Sequence, residues 1–347
     1  MINTIQRHGK RMKRLLLLFL VGLSACGSIP RTHPTASPTL VIATVTPTIA
    51  PIVPVPTAAL GDVKNPLILA LAPSPRLAPN ALNASKVLVA HLENSTGYQF
   101  ITIAPTSETD MINRFQNDDA HIGVLSPFGY LLASGNGSVD AAFAREQDGS
   151  AFYGAQFIVR SDAVFLSYFD SVKNENTSDA PTALAQFQNK KPCWADQLSP
   201  SGYVVPLGFL SEAGVQTNEP AFVAGQPTVV RAVHAQGICD FGATYIDART
   251  YPGLQDAFSD VLTKVIVVWR TPSIIPYETL VFASGMDNDM RRILIRAFVD
   301  AMDTPDGSSA MQTLFGIDAM QVAQDGQYQD FRKVVKASGL DLGSLVK

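Results

Sequence analysis

Short buried-strand runs alternate with amphipathic helical runs along most of this chain, and that alternation restricts it to mostly parallel sheets with helical crossovers. Pro66 to Ala72 is a continuous apolar run, followed by a Pro-rich turn and by Leu82 to Leu92, where Val87, Leu88, Ala90 and Leu92 recur at helical spacing. Gln99 to Ala104 reads as a strand, Asp110 to Phe115 as a helix with Met111, Ile112 and Phe115 on one face, and His121 to Leu125 as a third strand leading into Phe128 to Ala133. The pattern is interrupted at Phe152 to Val159, an extended segment with no helix of equal strength after it. We read that segment as a crossing into a second lobe.

Beyond the crossing come a strand at Cys193, a helix from Tyr203 to Ala213, a strand from Pro220 to Ala224, a helix from Thr228 to Ala235 and a strand from Asp240 to Tyr245. Val265 to Trp269 and Thr279 to Phe282 are extended and return the chain to the first lobe. The tail is helical: Ile293, Leu294, Ala297, Phe298 and Ala301 form one stripe of Met290 to Met302, and shorter helices are expected near Met311 and Phe331. The expected fold is α/β with two lobes, residues 66–157 and 281–347 forming the first and 158–280 the second. Such a fold places a ligand cleft between the carboxyl ends of both sheets.

The N-terminus is of a different kind. Arg7, Lys10, Arg11, Lys13 and Arg14 precede the apolar run Leu15 to Leu23, which is too short to span a bilayer and ends in small residues, as a signal peptide over residues 1–25 would. Leu23-Ser-Ala-Cys26 resembles a bacterial lipobox, which implies that Cys26 is lipidated and that the protein is anchored outside the cytoplasm. Residues 26–65 are rich in Pro, Thr, Ser, Ala and Val with almost no charge, so they are expected to act as an extended tether.

Lys191 to Tyr203, with the sequence Lys-Pro-Cys-Trp-Ala-Asp-Gln-Leu-Ser-Pro-Ser-Gly-Tyr, reads as a buried strand ending in a Ser/Gly-rich turn that opens a helix. The first turn of a helix has unpaired N–H donors and a partial positive charge, so Ser199, Ser201, Gly202 and Tyr203 make a candidate oxyanion cradle. The plainer reading is a helix cap, in which serine satisfies the first amides internally.

Lys and Arg number 26 against 30 Asp and Glu, and no basic block lies outside the signal segment, so nucleic acid is not an expected partner. His91, His121 and His234 stand alone without metal-ligand spacing, and neither metal nor cofactor is expected. With Cys26 assigned to lipid, Cys193 and Cys239 remain in an oxidising compartment. Each lies at the start of a strand, so parallel neighbouring strands would bring them together as a disulfide; two unpaired buried cysteines are the alternative.

Three motifs in this order carry a family resemblance. Trp194 to Pro206 resembles the Asp-Pro-x-Ser-Thr-Ser-Gly-Tyr-x-x-Pro of the phosphate/phosphite/phosphonate-binding proteins of ABC importers, Cys239 to Thr244 resembles their Val-Asp-Ala-Gly-Ala-Thr, and Ile275 to Thr279 their Ile-Pro-Asn-Asp. Gly316 to Met320 and Ser338 to Leu342 also look like the family's ending. The resemblance spans the chain after Asn65 and implies the type II periplasmic-binding-protein architecture: a monomer that closes over a small oxyanion and delivers it to a membrane permease, without catalysis. Carried over by position, Ser199, Ser201 and the amides through Tyr203 look like the phosphoryl cradle, Tyr130 like a first-lobe aromatic, and Glu278 like an acceptor in place of the family's aspartate. Gln226, Thr244, Asp247 and Tyr277 complete the expected site.

The departures concern the ligand. Pro200 replaces a threonine and removes a hydroxyl and an N–H donor, Glu108 lies near a position where many relatives have tyrosine, and Gln226 falls where some have histidine. Two other functions are compatible with the pattern: a ligand-sensing module for a membrane sensor, and a lipid-anchored hydrolase using the same cleft. Against the hydrolase, the chain has no Gly-x-Ser-x-Gly elbow, no His-Glu-x-x-His and no Gly-Lys-Ser/Thr phosphate loop.

Overall fold

A computed structural model describes residues 58–73 and 77–347; the expected signal peptide, Cys26 and the expected tether as far as residue 57 lie outside the described residues. The first lobe alternates β1 (Leu67–Ala70), α1 (Ala81–Thr96), β2 (Phe100–Ile103), α2 (Glu108–Gln116), β3 (Ile122–Leu125), α3 (Pro127–Gly135) and β4 (Val139–Glu146). The second is built from β5 (Ala155–Arg160), β6 (Pro192–Trp194), α4 (Val205–Glu212), β7 (Ala221–Phe222), α5 (Gln226–Ala235), β8 (Phe241–Tyr245) and β9 (Val265–Arg270). The chain returns through β10 (Thr279–Ala283), α6 (Asn288–Met302), α7 (Pro305–Phe315), β11 (Ala319–Val322) and α8 (Gln329–Ala337).

One sheet has the order β11-β4-β10-β3-β1-β2 and the other β7-β6-β8-β5-β9. β1 is parallel to β2 and β3, whereas the returning β10 runs antiparallel to β3 and β4. In the second sheet β6 is parallel to β7 and β8, and β5 runs antiparallel to β8 and β9.

Local chemistry explains where the helices start and which face they bury. α2 is capped by the Ser107 side chain, which accepts from the Asp110 N–H, and Glu108 and Asp110 place negative charge on its positive end. α6 is capped by Asp287 and buries Met290, Leu294, Ala297, Phe298 and Ala301. Ile293, expected on that stripe, is 40% exposed, because the buried face is centred one position further round.

The lobe boundaries differ from the expected ones. Phe152 to Val159 is not one crossing strand: it breaks at Gly154, Phe152–Tyr153 pairing antiparallel with Ile275–Pro276 and β5 lying wholly in the second sheet. Boundaries at 157/158 and 280/281 would cut β5 and β10, and the chain changes sheets instead between 147 and 154 and between 271 and 278. A Cβ on Gly154 would lie 2.9 Å from Ile246 Cδ1 and 2.9 Å from the Thr271 carbonyl oxygen, so the crossing passes where only glycine fits. The folded body also begins before residue 66, since the Gly61 carbonyl accepts from Gln99 N–H and Leu60 packs on the first core.

Cys193 in β6 and Cys239, just before the parallel β8, are bridged, with Cα atoms 5.6 Å apart. The bridge closes a loop with a sequence separation of 46, a constraint on the unfolded chain of about 4 kcal/mol by loop entropy. Reducing it, or replacing both cysteines with alanine, should lower unfolding free energy by about 2–5 kcal/mol in denaturant titrations.

His121 accepts from Ile68 N–H through Nδ1 at 2.9 Å, and burial holds its pKa below the usual value against the opposing pull of Asp118 and Asp119. The unfolded chain therefore takes up that proton more readily, so this contribution is complete above about pH 6.5 and is lost as pH falls below it. Denaturation at pH 7.5 and pH 5.5 should show the loss, with a smaller difference in His121→Asn.

Candidate functional site

After β6 the chain turns through Ala195 to Ser199 and enters a helix at Pro200. Its first turn, Pro200–Val204, is wider than an α-turn: Val204 N–H donates to the Ser199 carbonyl and Val205 N–H to that of Pro200, each five residues back. Such π-turns recur at functional sites. Pro200 takes the first helical position, where its ring pre-sets the backbone and its missing N–H breaks no helical bond. Gly202 is required by packing, since a Cβ there would stand 2.6 Å from Ala195 Cβ and 2.8 Å from Ser199 Oγ.

Within this turn the donors divide. Ser199 Oγ accepts from Gly202 N–H at 3.0 Å, so both groups are engaged in capping the helix. Ser201, two residues on, lines a cleft of about 570 Å³ between the second lobe and the crossings. Gln226, which opens α5, donates through Nε2 to Ser201 Oγ at 2.9 Å, and its Oε1 accepts from Tyr245 N–H, which fixes which end of the amide is which. Tyr153 also hydrogen-bonds with Ser201; burial pushes its hydroxyl pKa up to about 12, the Ser201 contact pulling the other way, so it remains protonated at neutral pH.

The cleft's other walls come from the crossings: Gln147, Asp148, Ser150, Phe152 and Tyr153 from the first, Ser273 and Tyr277 from the second. Tyr153 and Tyr277 stack with centroids 4.9 Å apart, and the Arg145 guanidinium lies 5.8 Å from the Tyr277 centroid. Among the described residues the lining contains no Lys or Arg.

The remaining expected residues lie elsewhere. Tyr130 is fully buried, its hydroxyl donating to Asp325 Oδ1 at 2.7 Å and its ring 4.3 Å from that of Tyr328; burial, then Asp325, push its pKa far up. Tyr203 turns to a second groove of about 720 Å³, shared with residues 340–347, where its ring packs on Trp194 and Phe222. Thr244 is buried, donating to the Tyr245 carbonyl and accepting from Gln156 Nε2. Asp247 bridges Arg249 and Arg270 at 3.0 and 2.9 Å. Glu278 pairs with Arg145 at 3.0 Å outside the cleft. Glu108 is buried with its carboxylate on the Ser126 N–H and Oγ at 2.5 and 2.9 Å, so its charge caps α3 and turns away from the cleft.

The residues missed from sequence, Gln147 to Tyr153 above all, sit in a crossing that has no motif of its own. Their one legible signal was the extended stretch before Gly154. Among the described residues no group of three or more His, Cys, Asp or Glu could hold a metal ion, and no helix is long and apolar enough to cross a membrane.

Two α/β sheets joined by a pair of crossings define a two-lobed solute-binding protein of the periplasmic type. In fold the chain is similar to XAC2383 from Xanthomonas citri, both bound to ATP (TM-score 0.53, 16% identity, 79% of this chain and 96% of that one) and bound to chloride ion (TM-score 0.54, 15% identity, 79% and 97%). The model of the family described as ABC transporter, phosphonate, periplasmic substrate-binding protein matches residues 71–328, and the chain belongs to that family. The Phosphate-import protein PhnD of Mycolicibacterium smegmatis is 24% identical over 171 residues, 46% of this chain and 48% of that protein. The chain thus spans about half the length of this curated relative.

Because Ser199 Oγ caps the helix through Gly202 N–H at 3.0 Å, does not line the cleft and meets Gln226 Nε2 only at 3.4 Å, Ser199→Ala should cost about 1 kcal/mol of stability in urea unfolding. It should leave ligand affinity within about twofold of the parent, on the scale of a surface substitution.

Proposed function

We propose that this protein is the extracytoplasmic, lipid-anchored receptor of an ABC importer, held to the membrane through Cys26, that binds a phosphonate, phosphite or related small oxyanion by lobe closure. Lobe closure gains free energy when one ligand contacts both walls of the cleft at once. The ligand is handed to a membrane permease and is not transformed.

The observation that carries this reading is the arrangement around Ser201. Gln226 donates to Ser201 Oγ at 2.9 Å, and Ser201 in turn hydrogen-bonds Tyr153, pulling that phenol's pKa down against burial, so the serine hydroxyl is held at the cleft wall and a ligand oxygen would compete with Tyr153 for its hydrogen. Beside it the Ser201 and Tyr203 amides, unlike those of Gly202 and Val204, have no acceptor within the turn and lie at the positive end of the helix dipole. An oxygen bearing negative charge meets both demands.

Calorimetry with phosphate, phosphite, methylphosphonate, aminoethylphosphonate and sulfate tests the reading; binding of none of them would refute it. For whichever binds best, Ser201→Ala should weaken affinity by about 1.5–3 kcal/mol, the scale of a hydrogen bond to a charged group. Unchanged affinity would mean that the ligand sits elsewhere.

A further inference from the structure

We propose that the physiological ligand carries one phosphoryl group on a flat ring, as an aryl or heterocyclic phosphonate or phosphate monoester does. This rests on the function proposed above and adds the chemistry of the end of the ligand remote from Ser201.

Size gives the first argument. The cleft measures about 570 Å³, well inside the range of about 300–1,000 Å³ that encloses organic ligands. A five-atom oxyanion fills the space of only about two or three waters at roughly 30 Å³ each and leaves most of the cleft wet.

The walls give the second. Phe152, Tyr153 and Tyr277 from the crossings and Tyr245 from the end of β8 all line the cleft, and all four remain part-exposed there. Aromatic faces held at the surface of a cleft are covered most favourably by another ring, offset-stacked or edge-on. Tyr153 and Tyr277 are already fixed as a stacked pair, so they offer a rigid platform and lose little freedom on binding.

Charge gives the third and sets the phosphoryl count. Among the described lining residues Asp148 alone is formally charged, and it is acidic. Neutral donors and a helix start can hold one phosphoryl group, whereas a polyphosphate would meet no cation to neutralise its further charges.

The test is calorimetry on the protein with inorganic phosphate, methylphosphonate, phenylphosphonate, adenosine monophosphate and ATP. Phenylphosphonate or adenosine monophosphate should bind at least about tenfold more tightly than methylphosphonate, and ATP no more tightly than the monophosphate. In Tyr245→Ala and Tyr277→Ala, each checked for folding by its melting curve, the preference for the ring over the methyl group should shrink. Methylphosphonate binding as tightly as both ring-bearing compounds, or an unchanged preference in both variants, would overturn the ring assignment while leaving the oxyanion receptor intact. ATP binding more tightly than the monophosphate would overturn the single phosphoryl group. Failure of all five to bind would overturn this inference, and the receptor reading would fall with it only if phosphite, aminoethylphosphonate and sulfate also failed to bind.

Discussion

The two passages between the sheets are hydrogen-bonded to each other. Phe152–Tyr153 and Ile275–Pro276 pair antiparallel, Ile275 opposite Tyr153, so both crossings form one short ribbon and not two independent linkers. Ile275 is fully buried and Gly154 is held against Ile246 and Thr271, which ties the ribbon to both cores. The cleft depends on this pairing, because Tyr153 and Tyr277, its stacked walls, are carried on the ribbon's two strands or immediately beside them. A change that unpaired the ribbon would disperse the wall and take Tyr153 from Ser201.

Against that wall the second lobe presents donors organised by neutral groups. Gln226 is locked from both ends, by Tyr245 N–H at its oxygen and by Ser201 at its nitrogen. The two serines of one turn divide the labour, Ser199 closing the helix and the buried Ser201 bonded to Gln226 at the cleft wall. In the first lobe the start of α3 is occupied by the chain's own carboxylate, Glu108, on Ser126. One helix start is thus occupied by a carboxylate while the other, capped by Ser199, keeps a π-turn at the cleft wall.

The alternation of strands and helices was legible because each element carries its own period: α6 announces its buried face, and the Ser-Pro-Ser-Gly turn announces a helix start. Errors of one position, such as Ile293, arise because a helical stripe is wide and its centre is set by what packs against it. The site was less legible. Tyr130, Asp247 and Glu278 are each drawn away from the cleft by a partner distant in sequence or across a strand, Asp325 for the first, Arg270 for the second and Arg145 for the third. No spacing rule encodes those pairings. The crossing residues Gln147 to Tyr153 lacked a motif because their role comes from the ribbon that Ile275–Pro276 completes, more than 120 residues later.

α8 follows the first lobe's last strand in sequence, yet it packs on α4 of the second. A Cβ on Gly208 would fall 2.2 Å from the Val334 carbonyl oxygen, and Phe331, Val334 and Val335 share a core with Val204 and Val205. The two helices are therefore in backbone contact, far closer than side-chain packing alone would bring them. A rigid-body swing of one lobe about the ribbon would have to pull this contact apart. A small shear, in which α8 slides along α4 or travels with it, would preserve the contact. Any movement between the lobes would therefore have to take α8 along with α4 or shift it across α4, and the ribbon and this helix contact together limit how far the mouth could open.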